Sequence, residues 1–179
     1  HIVKSVAEIR ELISTVPHPM LQVLAGPPSS ELNHEYTCSI FRCIDGTLRG
    51  PFICRRTLRG GSSWITEVVS NPTIDMLLRQ IGEALPILGS LNVQLMLNSN
   101  TAIPFEFNAR FSGTIPIRAY FGFNEPEMAI RNYFLKQDVP EPTIRSGVAL
   151  RYVEEIFIDN LSAAEITEPL PKGTIMPWF

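Results

Sequence analysis

The chain has 179 residues, of which 45% are hydrophobic and 18% are charged, a balance typical of a globular protein with a sizeable core. Its 15 basic and 18 acidic residues give a net charge of -3, so no excess of positive charge argues for nucleic-acid binding. The apolar runs are too short to cross a membrane. The three cysteines form no Cys-x-x-Cys pair, and we expect free thiols in a cytoplasmic protein.

The first predicted elements are a short helix and a short strand. Ser5 and Glu8 have the spacing of a capping box, which predicts a helix over residues 5–13. A strand is predicted over residues 20–24, and a Gly-Pro-Pro loop follows it.

A predicted hairpin comes next. Alternating polar and apolar residues over 35–43 predict a strand that ends at the favoured turn Asp45-Gly46. The return strand covers residues 48–58, and a Gly-Gly-Ser-Ser run begins shortly after it. Such a run can offer backbone N–H groups to anions, although a flexible connector is the plainer alternative.

Residues 72–88 form the most regular helix of the sequence, because apolar residues recur at i, i+3, i+4 and i+7. Pro72 suits the first turn, and Pro86 predicts that the last turn bends or ends. We expect the apolar stripe to pack behind the hairpin that follows.

That second hairpin has strands at 92–97 and from 103 onward, joined by a polar turn. Side chains alternate along a strand, so Glu106, Asn108 and Arg110 share one face. The other face carries the phenylalanines at 105, 107 and 111, which we expect to pack on the core.

A hairpin centred near residue 100 places Gln94 directly opposite Glu106. The Asn108 amide then lies beside them, and Arg110 one step further along. Carboxylate and amide oxygens suit Mg²⁺, and a guanidinium group can grip phosphate or carboxylate oxygens. Spacing alone leaves an equal alternative, a half-buried strand face whose polar groups satisfy one another.

The remaining sequence predicts a helix and a strand. Asn124 and Glu127 have capping-box spacing, which predicts a helix over 125–136. Residues 146–158 alternate as a strand with a polar, edge-like part, and prolines after residue 161 predict an irregular end. The predicted fold class is α+β, a mainly antiparallel sheet backed by helices.

One pattern in the second hairpin has a family likeness. It comprises Asn92-Val93-Gln94, then Phe105-Glu106-Phe107-Asn108-Ala109-Arg110 and Ser112-Gly113-Thr114. It resembles the metal-binding end of the ATP-grasp superfamily, and most of all the carboxylate ligases related to the large subunit of carbamoyl-phosphate synthase. Members usually have proline where this chain has Ala109, a change that touches no ligand. The resemblance implies the C-terminal subdomain of an ATP-grasp module.

The resemblance also implies a metal site. Gln94 and Glu106 would hold one Mg²⁺ ion, and Glu106 and Asn108 a second, with Mn²⁺ as an alternative metal. Arg110 would contact the transferred phosphate or the acyl-phosphate as the catalytic residue.

Nucleotide contacts follow from the same resemblance. The strand at 20–24 would be the hinge that binds adenine through its backbone, which assigns Gln22, Val23 and Leu24 to the nucleotide. Members usually have an acidic residue in place of Val23, so that side-chain contact is lost here. Glu35 would hold the ribose hydroxyls, with an ordinary charged strand start as the alternative. The arginines at 55, 56 and 59 and the glycine-rich turn would lie on the substrate side, with a solvated strand face as their alternative.

The implied function is ATP- and Mg²⁺-dependent ligation, in which a small carboxylate is activated as an acyl-phosphate and then attacked by an amine or another nucleophile. Alternatives are a non-catalytic nucleotide-binding or interaction module and a small-molecule kinase with the same metal site. The expected partners are ATP and a small carboxylate, without nucleic acid or membrane, and a homodimer is compatible with the resemblance.

The likeness covers residues 2–136, which predicts an ATP-grasp domain over 1–137 and a C-terminal strand with an irregular extension over 138–179. A Lys-bearing strand and a glycine-rich loop usually precede this segment in the family, and neither is found in this sequence. We therefore expect the 179-residue chain alone to bind Mg-ATP weakly and not to turn it over.

Overall fold

A computed structural model of the protein describes residues 1–23 and 35–151, together with two short strands at 156–157 and 174–175. The helices are α1 (Val6–Leu12), α2 (Pro72–Ala84), α3 (Ile115–Tyr120) and α4 (Glu125–Ala129), and α4 continues into a π-helical turn, Ile130–Phe134. The strands are β1 (Glu35–Arg42), β2 (Leu48–Arg59), β3 (Ser62–Val68), β4 (Gly89–Asn98), β5 (Thr101–Asn108), β6 (Gly147–Leu150), β7 (Ile156–Phe157) and β8 (Thr174–Ile175).

Six strands form one antiparallel sheet in the order β5-β4-β1-β2-β3-β6. β7 and β8 pair separately as a two-stranded antiparallel sheet. The predicted α+β class is confirmed. Because β6 lies beyond residue 137 and belongs to the larger sheet, the division of the chain at that residue stays a prediction.

Helix α2 packs on one face of the sheet. Ile74 and Leu78 are fully buried against a cluster that includes Val93 and Leu95 of β4. The Asn71 side chain caps the helix by accepting a hydrogen bond from the backbone N–H of Ile74 at 3.0 Å. The helix ends at Ala84, before Pro86, as the proline predicts. The expectation that this helix packs behind the second hairpin is confirmed.

The other face of the sheet is covered in part by α3 and α4. Phe41 and Phe52 from the sheet are fully buried with Phe123, which lies between the two helices. Met128 of α4 and Phe121 also belong to this second core cluster. The helices leave part of this face, along β4 and β5, open to a cavity.

The predicted strand at 20–24 is wrong for its described residues. Residues 20–23 have irregular backbone, and Met20 and Val23 are 84% and 90% exposed. The side-chain Nε2 of Gln22, not a backbone ladder, reaches the β5 edge and donates to the Phe105 carbonyl at 3.5 Å. Leu24 and the Gly-Pro-Pro loop lie outside the described residues.

The glycine-rich run after β2 is a tight hairpin turn, and the strand β3 that follows it was not predicted. Gly60 and Gly61 both have positive φ, which favours glycine, and they connect β2 directly to β3. The guanidinium of Arg59 stacks 4.7 Å from the centre of the Trp64 ring across this turn. β6 is much shorter than the strand predicted over 146–158, and β8 lies within the predicted irregular end.

Two further predictions concern apolar packing. Phe107 and Phe111 are 47% and 45% exposed, so the expectation that the phenylalanine face packs fully on the core is wrong. Phe107 lies in the edge strand β5, which has a neighbouring strand on one side only, and Phe111 lies beyond the end of that strand. The Ser5 cap of α1 is confirmed, since its hydroxyl accepts from the Glu8 N–H at 3.2 Å, but α1 buries none of its residues.

The three cysteines are free, as expected, and all three are buried. Burial raises the pKa of the Cys54 thiol to about 11, and burial likewise raises the pKa of Cys38 well above its usual value. These two thiols are therefore protonated at neutral pH and unsuited to nucleophilic roles. Within the described part of the chain, no helix is both long and apolar enough to span a membrane.

Candidate active site

A polar cavity of about 370 Å³ opens on the sheet face opposite α2. Its charged lining residues are Arg56 of β2, Glu106 of β5, Arg110 just beyond β5, and Arg151 just beyond β6. The uncharged lining residues are Leu58, Asn92, Gln94 and those of the segments 61–63 and 112–114. Three guanidinium groups line the cavity, against the carboxylate of Glu106 and that of Glu35, which pairs with Arg56. The remaining positive balance favours anionic ligands.

The predicted register of the second hairpin is confirmed, because Gln94 lies directly opposite Glu106. The turn itself is one residue tighter than predicted: Asn98 pairs with Thr101 around a two-residue turn. Between Leu95 and Gln94 the pairing shifts by one residue, because β5 has an extra residue after Pro104. This shift brings Gln94 opposite Glu106.

The side chains predicted to bind metal form a chain of hydrogen bonds on one face. Asn108 donates from Nδ2 to Oε1 of Glu106 at 2.6 Å, and Arg110 donates from Nη2 to Oδ1 of Asn108 at 3.2 Å. Gln94, Glu106 and Arg110 line the cavity, whereas Asn108 does not. The four residues thus lie close together, and Asn108 contacts Glu106 without lining the cavity itself.

The residue at the centre of the site is Arg56. It donates from Nη2 to Oε1 of Glu35 and to Oε1 of Gln94, both at 2.7 Å, and from Nη1 to the Ser63 hydroxyl at 3.2 Å. The sequence presented arginines at 55, 56 and 59 without distinguishing them. Arg55 lies on the opposite face, where it pairs with Glu67 at 2.7 Å.

The residues predicted to bind the nucleotide are not gathered in this cavity. Glu35 is held by Arg56 and its side chain is 24% exposed, but Glu35 is not one of the lining residues. Gln22 contacts the edge of β5, and Val23 is almost fully exposed. Their assignment to ribose and adenine stays a prediction.

Beneath the cavity lies a buried ionic network that the sequence analysis missed. Arg118 of α3 and Glu125 of α4 are both fully buried and form an ion pair at 3.1 Å. Arg118 also donates to the side-chain oxygen of Asn92, which lines the cavity. The available signal was an arginine on the predominantly apolar stretch 115–121.

The donor set fits a hard divalent cation in part. Gln94 and Glu106 offer an amide oxygen and a carboxylate side by side, and Oε2 of Glu106 accepts no hydrogen bond from the described residues. Such oxygen donors are those that Mg²⁺ prefers. Asn108 turns its NH₂ group toward Glu106, so its amide would have to reverse for both side chains to present oxygen to one ion.

A family model described as "ATP-grasp in the biosynthetic pathway with Ter operon" matches residues 32–156, well over half of the chain. None of the curated proteins matches the chain. Among solved structures, the fold is similar to phosphoribosylaminoimidazole carboxylase ATPase subunit from Aquifex aeolicus, with 15% identity, a TM-score of 0.53, and coverage of 76% of this chain and 41% of that one.

Two further structures are similar at the level of the fold. N5-carboxyaminoimidazole synthase from Aspergillus clavatus, in complex with ADP and 5-aminoimidazole ribonucleotide, matches with 12% identity and a TM-score of 0.54 over 69% of this chain and 36% of that one. N5-carboxyaminoimidazole synthetase from Staphylococcus aureus, complexed with ADP, matches with 14% identity and a TM-score of 0.52 over 66% and 35%. The chain therefore spans well under half the length of these proteins. With the family model matched over residues 32–156, the chain belongs to the ATP-grasp family.

Proposed function

We propose that the protein carrying this sequence is an ATP-dependent ligase that activates a small carboxylate as an acyl-phosphate, which an amine or another nucleophile then attacks. The observation that carries the proposal is the cross-strand pair Gln94–Glu106 in a cavity that also contains Arg110. The family match supports the ATP-dependent reaction in general. The closer likeness to carbamoyl-phosphate synthase-type ligases stays part of the proposal.

The first chemical step needs no nucleophile from the protein. A carboxylate oxygen of the substrate attacks the γ-phosphorus of ATP, and the bond from that phosphorus to the leaving ADP oxygen breaks. Bound Mg²⁺ would neutralise charge on the phosphoryl oxygens. Gln94, Glu106 and Asn108 are the residues that would hold the metal, and Arg110 would donate hydrogen bonds to the transferred phosphoryl group.

In the second step, the nucleophile attacks the acyl carbon, and phosphate leaves with one oxygen that came from the carboxylate. The positive balance of the cavity, with Arg56 and Arg151 in addition to Arg110, supports an anionic substrate. The role of the protein here is to orient the acyl-phosphate and to keep its charge paired.

The test is to trap the acyl-phosphate. The full-length protein that carries this sequence is incubated with Mg-ATP, hydroxylamine and a panel of small carboxylates, and hydroxamate is measured. The active carboxylate is then labelled with ¹⁸O. The proposal expects hydroxamate and one ¹⁸O atom in the released phosphate, whereas ADP formation with no label in phosphate contradicts it.

A second candidate, a non-catalytic nucleotide-binding module, is favoured by one observation. Oε1 of Gln94 and Oδ1 of Asn108 already accept hydrogen bonds from Arg56 and Arg110, so the polar groups of the strand face satisfy one another without a metal. Calorimetry with Mg-ATP separates the two candidates. Binding without hydroxamate or ADP formation for any carboxylate in the panel would favour the module.

A further inference from the structure

We propose that Arg118 and Glu125 are positioning residues that fix the side-chain amide of Asn92, so that its two N–H bonds face an anionic oxygen, such as that of a carboxylate, in the cavity. The inference deepens the proposed function and rests on it for the identity of the reaction. Its structural content, an oriented donor in the cavity floor, is testable without turnover.

Burial of the Arg118–Glu125 ion pair has a cost in free energy. Arg118 and Glu125 are both fully buried, with Nη1 of Arg118 3.1 Å from Oε2 of Glu125. Removing two charges from water is expensive, and a buried ion pair often stabilises a protein no more than apolar side chains of similar size. A contribution to stability alone therefore does not account for this pair.

Hydrogen bonds with three neighbouring side chains fix the ion pair. Oε1 of Glu125 accepts hydrogen bonds from the hydroxyl groups of Ser39 on β1 and Ser90 on β4. Nη2 of Arg118 also contacts the Thr37 hydroxyl at 3.3 Å. Hydrogen bonds to β1 and β4 thus hold both members of the ion pair in place.

The side-chain amide of Asn92 is held in one orientation. Arginine can only donate hydrogen bonds, so the Asn92 atom that faces Nη2 of Arg118 must be the oxygen Oδ1. The Thr37 hydroxyl accepts from Arg118 and donates to the same oxygen at 3.0 Å. Two donors therefore hold Oδ1 toward the interior, which turns Nδ2 the other way.

Nδ2 of Asn92 is turned toward the cavity. Asn92 is only 2% exposed, yet it forms part of the cavity wall. Its Nδ2 group donates to no other group among the described residues. A ligand oxygen in the cavity would therefore take the place of water at this N–H group. The neighbouring charges in the cavity are mainly guanidinium groups, so the acceptor that fits is an anionic oxygen.

The experiment uses acetate as the probe and NMR spectroscopy of the ¹⁵N-labelled chain. The Asn92 side-chain NH₂ signals are identified by their loss in Asn92→Asp. Acetate is titrated at constant ionic strength against chloride. The expected result is a saturable shift of the Asn92 signals in the wild type and at least a tenfold weaker response in the double variant Arg118→Met, Glu125→Gln.

The matched control is the double variant Arg131→Met, Glu127→Gln, which removes an exposed ion pair of 2.8 Å from the same helical region. It should respond to acetate as the wild type does. An Asn92 shift that is the same in the buried-pair variant as in the wild type would overturn the positioning role. No saturable shift in the wild type would overturn the anion-facing donor.

Two further variants keep the test decisive if the buried-pair variant does not fold. Arg118→Lys retains the charge but loses the fork that reaches Glu125 and Asn92 together, and it should weaken the response tenfold or more. Gly113 lines the same cavity, and its backbone N–H signal is a second reporter of acetate. Asn92→Asp keeps an acceptor for Arg118 but loses the donor, so the acetate shift of the Gly113 signal should disappear. Unchanged responses in these variants contradict the inference. Acetate binding without ATP-dependent hydroxamate would refute the proposed function alone.

Discussion

Arg56 on β2 reaches across the central strand β1 and donates a hydrogen bond of 2.7 Å to Gln94 on β4. On the way it pairs with Glu35 of β1, also at 2.7 Å. One guanidinium thus ties three neighbouring strands together at the cavity. It also connects the residue predicted to bind ribose with a residue predicted to bind metal.

Arg56→Met should lower the free energy of unfolding by about 2 kcal/mol, because hydrogen bonds to charged groups are lost and Glu35, only 24% exposed, is left without its cation. Urea denaturation measures the change. The control is Arg79→Met, which removes an exposed i,i+4 pair with Asp75 and should cost less than about 0.5 kcal/mol. Equal costs for the two variants would show that Arg56 is an ordinary surface residue.

Helix α2 should be the main apolar support of the sheet beneath the site. Leu78→Ala removes a fully buried side chain from the α2 face, and we expect a loss of about 2–5 kcal/mol. Met76→Ala on the same helix, where the side chain is 59% exposed, serves as the control and should have little effect. Thermal and urea unfolding of both variants measure this. Similar losses would contradict the burial of α2 described above.

The pairing of residues around the site was not predictable from spacing alone, because two register shifts decide which residues lie opposite each other. In the first hairpin, Phe41 pairs with Arg49, but Tyr36 pairs with Arg55, so the pairing shifts by one residue next to Pro51. Without that shift, Arg55 instead of Arg56 would lie beside Glu35. Proline lacks an N–H and is common at such irregularities, but sequence alone does not say whether it causes a shift.

The second hairpin shows the same effect with a different outcome. The prediction that Gln94 faces Glu106 assumed a turn centred near residue 100, whereas the pairing of Asn98 with Thr101 centres it half a residue earlier. The shift after Pro104 compensates for that error. The pairing of Gln94 with Glu106 was therefore predicted correctly, although the turn position assumed for it was not.

The buried network was hidden for another reason. Ser39, Asn92 and the pair Arg118–Glu125 are far apart in the sequence and meet only because α3 and α4 fold back over β1 and β4. Helical periodicity predicted the amphipathic α2, but it cannot tell a buried arginine from an exposed one. Tertiary contacts alone identify Arg118 as part of the interior.

The fold should lose stability above pH 9 in part through Cys54. Its pKa is raised from 9.0 to about 11 by burial, so the unfolded chain releases this proton first as the pH rises. Stability from the neutral thiol is therefore fully present below pH 9 and is lost between pH 9 and about 11. The slope attributable to one such group is at most about 1.4 kcal/mol per pH unit.

Urea denaturation of the wild type and Cys54→Ala between pH 7.5 and 10.5 measures this slope. The variant should show a shallower loss, whatever its absolute stability. Burial also raises the pKa values of Tyr36, Tyr133 and Cys38, and both proteins retain these residues. The tyrosine contributions therefore cancel in the comparison, whereas the part of the Cys38 shift that is due to Cys54 is lost in the variant and adds to the difference. Parallel pH profiles would contradict the assignment to Cys54.

The central claim is that Glu106 supplies the carboxylate of an ATP-dependent active site, and Glu106→Gln tests it most directly. The variant keeps the size of the side chain, so thermal unfolding should be nearly unchanged. Loss of one charge partner of the transition state typically costs on the order of 3 kcal/mol, so ATP-dependent hydroxamate formation by the full-length protein should fall about 100-fold or more. Glu83→Gln on the exposed face of α2 is the control and should retain wild-type activity. Wild-type activity in Glu106→Gln would contradict the account.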